Sequence, residues 1–193
     1  MMGGSYLTDP VVFLIQTLFG LYILAVLLRF LLQLVRADFY NPISQFLVKV
    51  TNPPLKIFRR IIPGVGGIDL SSLILAWLLK AIELFLIISL AGTGINLIAP
   101  FIWAIPELVE LFINIYLFGI LIQVILSWVN PGSYNPATAL LYSLTGPLMR
   151  PAQKILPPMG GIDLSPMLVM IGLILLKMLL LPPLRQITSS PFL

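Results

Sequence analysis

Apolar residues gather into long runs along this chain, and two of them, Val11–Leu28 and Ile87–Ile105, carry no Asp, Glu, Lys or Arg. An apolar run of about 18 residues or more is what crossing a bilayer core of roughly 30 Å requires. Four spans are predicted, at about residues 10–35, 69–90, 101–129 and 163–181. Between the spans of each half the pattern changes. Ile43, Phe46, Leu47 and Val50 fall at i, i+3, i+4 and i+7, with Ser44, Gln45 and Lys49 on the other side. Ala137, Leu140, Leu141 and Leu144 repeat that spacing. Each pattern predicts an amphipathic helix, at 42–62 and 136–156, opened by Asn-Pro (Asn41-Pro42, Asn135-Pro136). Each helix is expected to break, at Thr51–Pro54 and at Thr145–Pro147, before a second turn bearing Lys56, Arg59 and Arg60, or Arg150 and Lys154. Such segments are too polar to cross, and lying in the membrane interface suits them best.

The two halves are copies. Tyr40–Ser71 aligns without a gap on Tyr134–Ser165, with 14 of 32 positions identical. A match over Pro, Gly, Asn and Asp is not what apolar low complexity produces by chance, so the chain is an internal repeat, 1–96 and 97–193. Gly66-Gly67-Ile68-Asp69 and Gly160-Gly161-Ile162-Asp163 precede spans 2 and 4. The glycines read as turns, and each Asp is placed to cap the first N–H groups of the helix that follows.

Composition sharpens this picture. Apolar residues make up 59% and charged residues only 9%, against roughly 25% charged in an ordinary soluble domain. The reading is an all-α integral membrane protein with four transmembrane helices in two tandem repeats of the same orientation. With no Cys and no His, thiol chemistry, disulfides, zinc sites, haem ligation and the commonest general base are absent. No nucleophile–base pair stands at a recognisable spacing, so neither an enzyme nor a cofactor is expected. The N-terminus lacks the basic start and the small-residue cleavage site of a signal peptide.

Arg36, Lys49, Lys56, Arg59, Arg60, Arg150 and Lys154 all fall within the two amphipathic segments or beside them, and Arg185 alone lies toward the opposite side. By the positive-inside rule both segments face the cytoplasm, which puts both termini outside. The copies then relate by an axis along the membrane normal, a pseudo-two-fold. The net charge of +4 follows from this leaflet asymmetry, and no nucleic-acid partner is expected. Trp103 and Trp128 bracket span 3 as interfacial aromatics do.

Tyr134-Asn135-Pro136, Gly146-Pro147-Leu148-Met149-Arg150-Pro151 and Gly160-Gly161-Ile162-Asp163-Leu164-Ser165-Pro166, with Ser127-Trp128 upstream, resemble the defining motif of the YggT (also YlmG) family. The first copy is similar but looser, with Leu34 where the second has Trp128 and Asn52 where it has Gly146. The resemblance covers essentially the whole chain and implies a small bacterial inner-membrane protein. It implies a link to osmotic stress tolerance and potassium handling. Gram-positive relatives are encoded among cell-division genes, and plastid relatives are linked to haem attachment and nucleoid organisation. No catalytic residue is implied.

Charges inside spans are the candidates for chemistry, because burying them is costly. Lys80 and Glu83 stand as i, i+3 neighbours in span 2 and can pair. Lys177 occupies the repeat position of Glu83, and a Glu83–Lys177 contact is expected if spans 2 and 4 meet. Glu107 and Glu110 lie near the outer end of span 3, and Arg29 near the inner end of span 1, where snorkelling would serve it. Lys80, Glu83, Glu110 and Lys177 read either as a hydrated path for ions or as interhelical ion pairs. The basic face of Lys49, Lys56, Arg59, Arg60, Arg150 and Lys154 reads either as an anchor to the anionic leaflet or as a docking surface. Function therefore divides between ion homeostasis, by conduction or by modulating a transporter, and a scaffold for division or envelope components. A homo-oligomer or a membrane-protein partner fits either reading.

Overall fold

The computed structural model describes residues 5–62, 64, 67–92, 97–129, 135–157 and 163–190. In chain order the helices are α1 (Ser5–Leu34), α2 (Pro42–Ile61), α3 (Leu70–Leu90), α4 (Ala99–Val129), α5 (Pro136–Ile155) and α6 (Ser165–Thr188). Thr8–Leu34 of α1 and the whole of α3, α4 and α6 are long and apolar enough to cross a membrane. Phe13, Leu18, Phe118 and Leu179 stand on their outer faces and are all more than 60% exposed. In lipid such faces cost nothing, and helices are held together by close packing and interhelical hydrogen bonds instead.

Each repeat is the same three-helix unit. α1 packs on α3 with α2 laid against both, and α4 packs on α6 with α5 laid against both. The units join through α3 and α4, consecutive helices kept adjacent by the short connection at 91–98. At the other end Asn41 Nδ2 donates to the Pro136 carbonyl at 2.7 Å, which brings the starts of α2 and α5 together. Both amphipathic helices therefore lie at one end of the molecule. α1 and α4 run toward that end while α3 and α6 run away from it, the same direction in both repeats.

The symmetry is not the expected pseudo-two-fold. Such an axis would pair α6 with α1 as α3 pairs with α4, but among the described residues α6 touches neither α1 nor α3. The four spans form an open row, α1–α3–α4–α6. Of the spans, α3 and α4 alone are tied by a short connection, and among the described residues no segment holds α6 against α1.

The amphipathic helices also differ from expectation, since neither breaks. α2 continues through Pro53 and Pro54, and α5 through Pro147 and Pro151. An interior Pro removes one backbone donor and orphans the carbonyl four residues earlier. For Pro54 that carbonyl is Val50, which accepts from the Tyr22 hydroxyl of α1 at 3.2 Å. A neighbouring helix thus supplies the donor that the proline lacks. α2 shows three sides rather than two: Ser44, Leu47, Thr51 and Leu55 are buried, Ile43, Phe46, Ile57 and Ile61 form an exposed apolar strip, and Lys49, Lys56 and Arg60 are exposed cations.

The core lies between the C-terminal half of α1 and its neighbours, with Ile23, Val26, Leu27 and Phe30 buried against Leu75, Ala76, Leu108 and Leu144. A smaller cluster of Ala81, Leu84 and Ala104 closes the other end. Gly119 of α4 faces α5, where an added Cβ would meet Thr145 Cγ2 at 3.5 Å. Its repeat position holds Ala25, so both copies keep a small residue at this place.

Candidate functional site

Among the described residues, polar side chains interrupt the apolar packing at both ends of the spans, once in each repeat at the end bearing α2 and α5 and again between α3, α4 and α6 at the opposite end. The first gathers around Arg29 of α1, which is 5% exposed. Its Nη1 donates to Thr51 Oγ1 at 2.7 Å, to Asn52 Oδ1 at 2.9 Å and to the Val48 carbonyl at 3.4 Å. The buried Nε has no partner among the described residues. Arg29 therefore does not snorkel as expected. α2 lies over the end of α1 and closes its route outward, and neutral groups of α2 solvate the guanidinium instead.

Next to it, Arg59 pairs with Asp69, whose Oδ2 also accepts from the Ser72 hydroxyl at 2.7 Å. The Ser71 hydroxyl donates to the Ile62 carbonyl at 3.0 Å, which ties the end of α2 to the start of α3. Burial pushes the Asp69 carboxyl up, but the bonds from Arg59 and Ser72 outweigh it and hold the group below its ordinary range. Asp69 makes no side-chain cap on the α3 backbone, so the expected capping role is replaced by these two side-chain bonds. A cavity of about 640 Å³ opens between Arg29, Arg59, Asp69, Gln33, Phe39 and Ile68.

The second repeat rebuilds this cluster without its positive charges. Gln123 stands at the Arg29 position and its Oε1 takes the Thr145 hydroxyl at 2.5 Å. Gln153 stands at the Arg59 position and donates to Asp163 at 2.9 Å. Ser165 donates to the Leu156 carbonyl at 2.9 Å, as Ser71 does to Ile62. Asp163 Oδ1 accepts from the Ser165 N–H, the first of α6, at 2.9 Å, although the N-cap position itself falls on Leu164 and carries no side-chain cap. Burial raises the Asp163 carboxyl, but the Gln153 and Ser165 bonds prevail and lower it.

At the opposite end a further cluster lies between α3, α4 and α6. Lys80 and Glu83 pair within α3 at 3.0 Å, and Glu83 is almost fully buried with Oε2 unpartnered among the described residues. Lys177 does not reach Glu83, because α3 and α6 share no contact. It pairs with Glu110 of α4 at 2.7 Å and donates to Asn114 at 3.1 Å. Arg185, beyond the span expected at 163–181, lies inside α6, whose last turns continue to Thr188. It binds Glu107 at 3.2 Å and also Glu110. The Trp103 indole donates to the Thr188 carbonyl at 3.0 Å, securing that end. Glu110 thus joins two cations, and the four charges cancel in pairs across α4 and α6.

The remaining sequence candidates are placed as follows. Lys49, Lys56, Arg60, Arg150 and Lys154 are exposed and make no ion pair among the described residues, whereas Arg59 is held by Asp69. The Asn41 side chain accepts from the Ile43 N–H at 2.9 Å, and Asn135 forms a reciprocal capping box with Thr138. Pro42 and Pro136 take the first helical positions. Gly67 has φ +83°, the left-handed turn that a glycine readily supplies. Gly66, Gly160 and Gly161 lie outside the described residues. Among the described residues no group of three or more Asp, Glu, His or Cys gathers to hold a metal. Residue type alone undervalued Arg29, Gln123 and Gln153. Their signal was the Arg-to-Gln exchange between repeat positions.

The CCB3/YggT family model matches this chain twice, over residues 8–90 and 102–184. An uncharacterized protein of Pseudomonas aeruginosa is 48% identical over 187 residues, covering 96% of this chain and 95% of the relative. An uncharacterized protein of Vibrio alginolyticus is 42% identical, covering 83% of this chain and 88% of the relative. The uncharacterized protein YggT of Escherichia coli is 40% identical over 175 residues, with 88% of each chain covered. No solved structure matches.

Proposed function

This chain belongs to the CCB3/YggT family of membrane proteins, and on that premise we propose that it acts without enzymatic chemistry, as a membrane scaffold or transporter modulator engaged through its basic face. One contrast carries the reading. The charges of α4 and α6 neutralise each other, while Lys49, Lys56, Arg60, Arg150 and Lys154 stand exposed on α2 and α5. Paired charges inside a membrane serve packing, and exposed like charges at one end serve contact with anionic lipid or an acidic partner. In this reading the protein sits in the bacterial inner membrane with α2 and α5 on the cytoplasmic side and both termini periplasmic. It supports osmotic tolerance and potassium homeostasis through a transporter, or positions division and envelope components.

The test is complementation of a deletion strain at high osmolarity. Reversing Lys56, Arg60 and Lys154 to Glu should abolish rescue, and Glu83→Gln should preserve it. The opposite result would overturn the scaffold. One observation favours conduction as the second reading, namely the buried Glu83 Oε2, without a partner among the described residues. Potassium and sodium flux through liposomes holding the purified chain decides between them. Flux that Glu83→Gln and Lys177→Met both abolish would establish a conductor.

A further inference from the structure

Arg29 and Arg59 line one cavity, and neither charge is needed to build the fold around it. The repeat is the internal control. Gln123 and Gln153 occupy the equivalent positions, the Thr145 and Asp163 contacts persist, and the serine-to-carbonyl bond at the turn is retained. A three-helix unit of this design therefore closes with neutral amides at both places. The first repeat instead carries two guanidiniums, one of them 5% exposed inside an apolar helix with no carboxylate bonded to it. Such a charge is costly unless a counter-ion meets it. Among the described residues Asp69 is the one carboxylate lining the cavity, and Arg59 and Ser72 already occupy it.

We propose that the cavity between the end of α1, α2 and the start of α3 is a binding site for a phosphate group, gripped by Arg29 and Arg59. Two arginines against one aspartate leave one positive charge in excess. The planar fork of a guanidinium suits phosphate oxygens better than an ammonium does. The volume of about 640 Å³ exceeds what a bare phosphate fills, and it lies within the range of small-molecule sites. Phe39, Ile62 and Ile68 line the same space and suit the glycerol and first carbons of a phospholipid, with Gln33 available to a headgroup hydroxyl. Apart from Arg59, whose side chain is 38% exposed but held by Asp69, the site uses none of the exposed cations of α2 and α5, so it does not depend on what Lys49, Lys56, Arg60, Arg150 and Lys154 engage.

The experiment uses the full chain in phosphatidylcholine nanodiscs, titrated by calorimetry with short-chain phosphatidylglycerol and, separately, with inorganic phosphate. Arg29→Gln and Arg59→Gln should each weaken binding about tenfold or more, the loss of a charge-assisted bond to phosphate. Lys56→Gln removes an equal charge outside the cavity and should change affinity less than about twofold. Arg29→Lys, which keeps the charge but not the fork, should fall between. Binding of phosphatidylglycerol that inorganic phosphate does not displace identifies a lipid headgroup. Binding of inorganic phosphate with the same dependence on both arginines identifies a free phosphate. Thermal unfolding of each variant establishes that it folds. Should Arg29→Gln fail there, Arg59→Gln at the half-exposed position carries the comparison with Lys56→Gln. The proposal is overturned if neither probe binds the wild type, if binding survives loss of both arginines, or if Lys56→Gln weakens it as much.

Discussion

Two guanidiniums lie within apolar helices of this protein, and they are stabilised by different means. Arg185 sits between Glu107 and Glu110, whereas Arg29 sits among neutral oxygens. Arg185→Met would leave Glu107 without a cation and Glu110 with Lys177 alone, at a cost of about 2 kcal/mol or more. Lys177→Met should cost less, because Glu110 keeps Arg185. Denaturant unfolding in detergent micelles ranks the two variants. Asp69 makes a pH prediction. Its folded pKa lies below the ordinary 3.8, so its contribution is full above that value and is lost as pH falls through the folded pKa. Asp69→Asn should flatten the acid limb of a melting-temperature profile and leave the neutral region sloped as before. At this scale the Lys80–Glu83 pair was legible, because i, i+3 spacing fixes proximity within one helix. The partner of Lys177 was not, because it depends on which helices meet.

At the scale of elements the amphipathic helices are the instructive case. Thr-Asn-Pro-Pro reads as a helix break, and in isolation two adjacent prolines would remove two backbone bonds. α2 persists because Tyr22 reaches across from α1 to the Val50 carbonyl, a compensation that no local pattern announces. Tyr22→Phe should therefore destabilise the protein by about 1 kcal/mol, with amide exchange accelerated at Val50, Thr51, Asn52 and Leu55, the N–H groups flanking the two prolines. The starts of the same helices were plain in the sequence, since Asn-Pro supplies both the capping side chain and the preset first φ. Asn135→Ala should cost about 1 kcal/mol through loss of the capping box, measured as a lowered unfolding midpoint.

For the whole molecule, the duplication and the four spans were readable from composition and self-similarity, but the arrangement of the copies was not. Sequence identity between repeats says that each folds alike, while the packing of one on the other is set by the connection at 91–98 and by Asn41 meeting Pro136. The open row predicts a cross-linking pattern, clean because the chain has no native cysteine. A short bismaleimide should join Asn114→Cys to Lys177→Cys and fail to join Glu83→Cys to Lys177→Cys within one chain. The reverse result would restore contact between α3 and α6.

By itself the sequence determined that this is a helical membrane protein of two like repeats, with its basic residues concentrated at one end. Those features follow from periodicity, charge and copy number, all local or additive along the chain. Tertiary structure alone decided which buried charges neutralise each other, which proline-orphaned carbonyl is satisfied, and that Arg29 and Arg59 share a cavity. Each of these depends on distances between residues far apart in the chain, and in lipid such distances are set by packing and hydrogen bonding rather than by hydrophobic pattern.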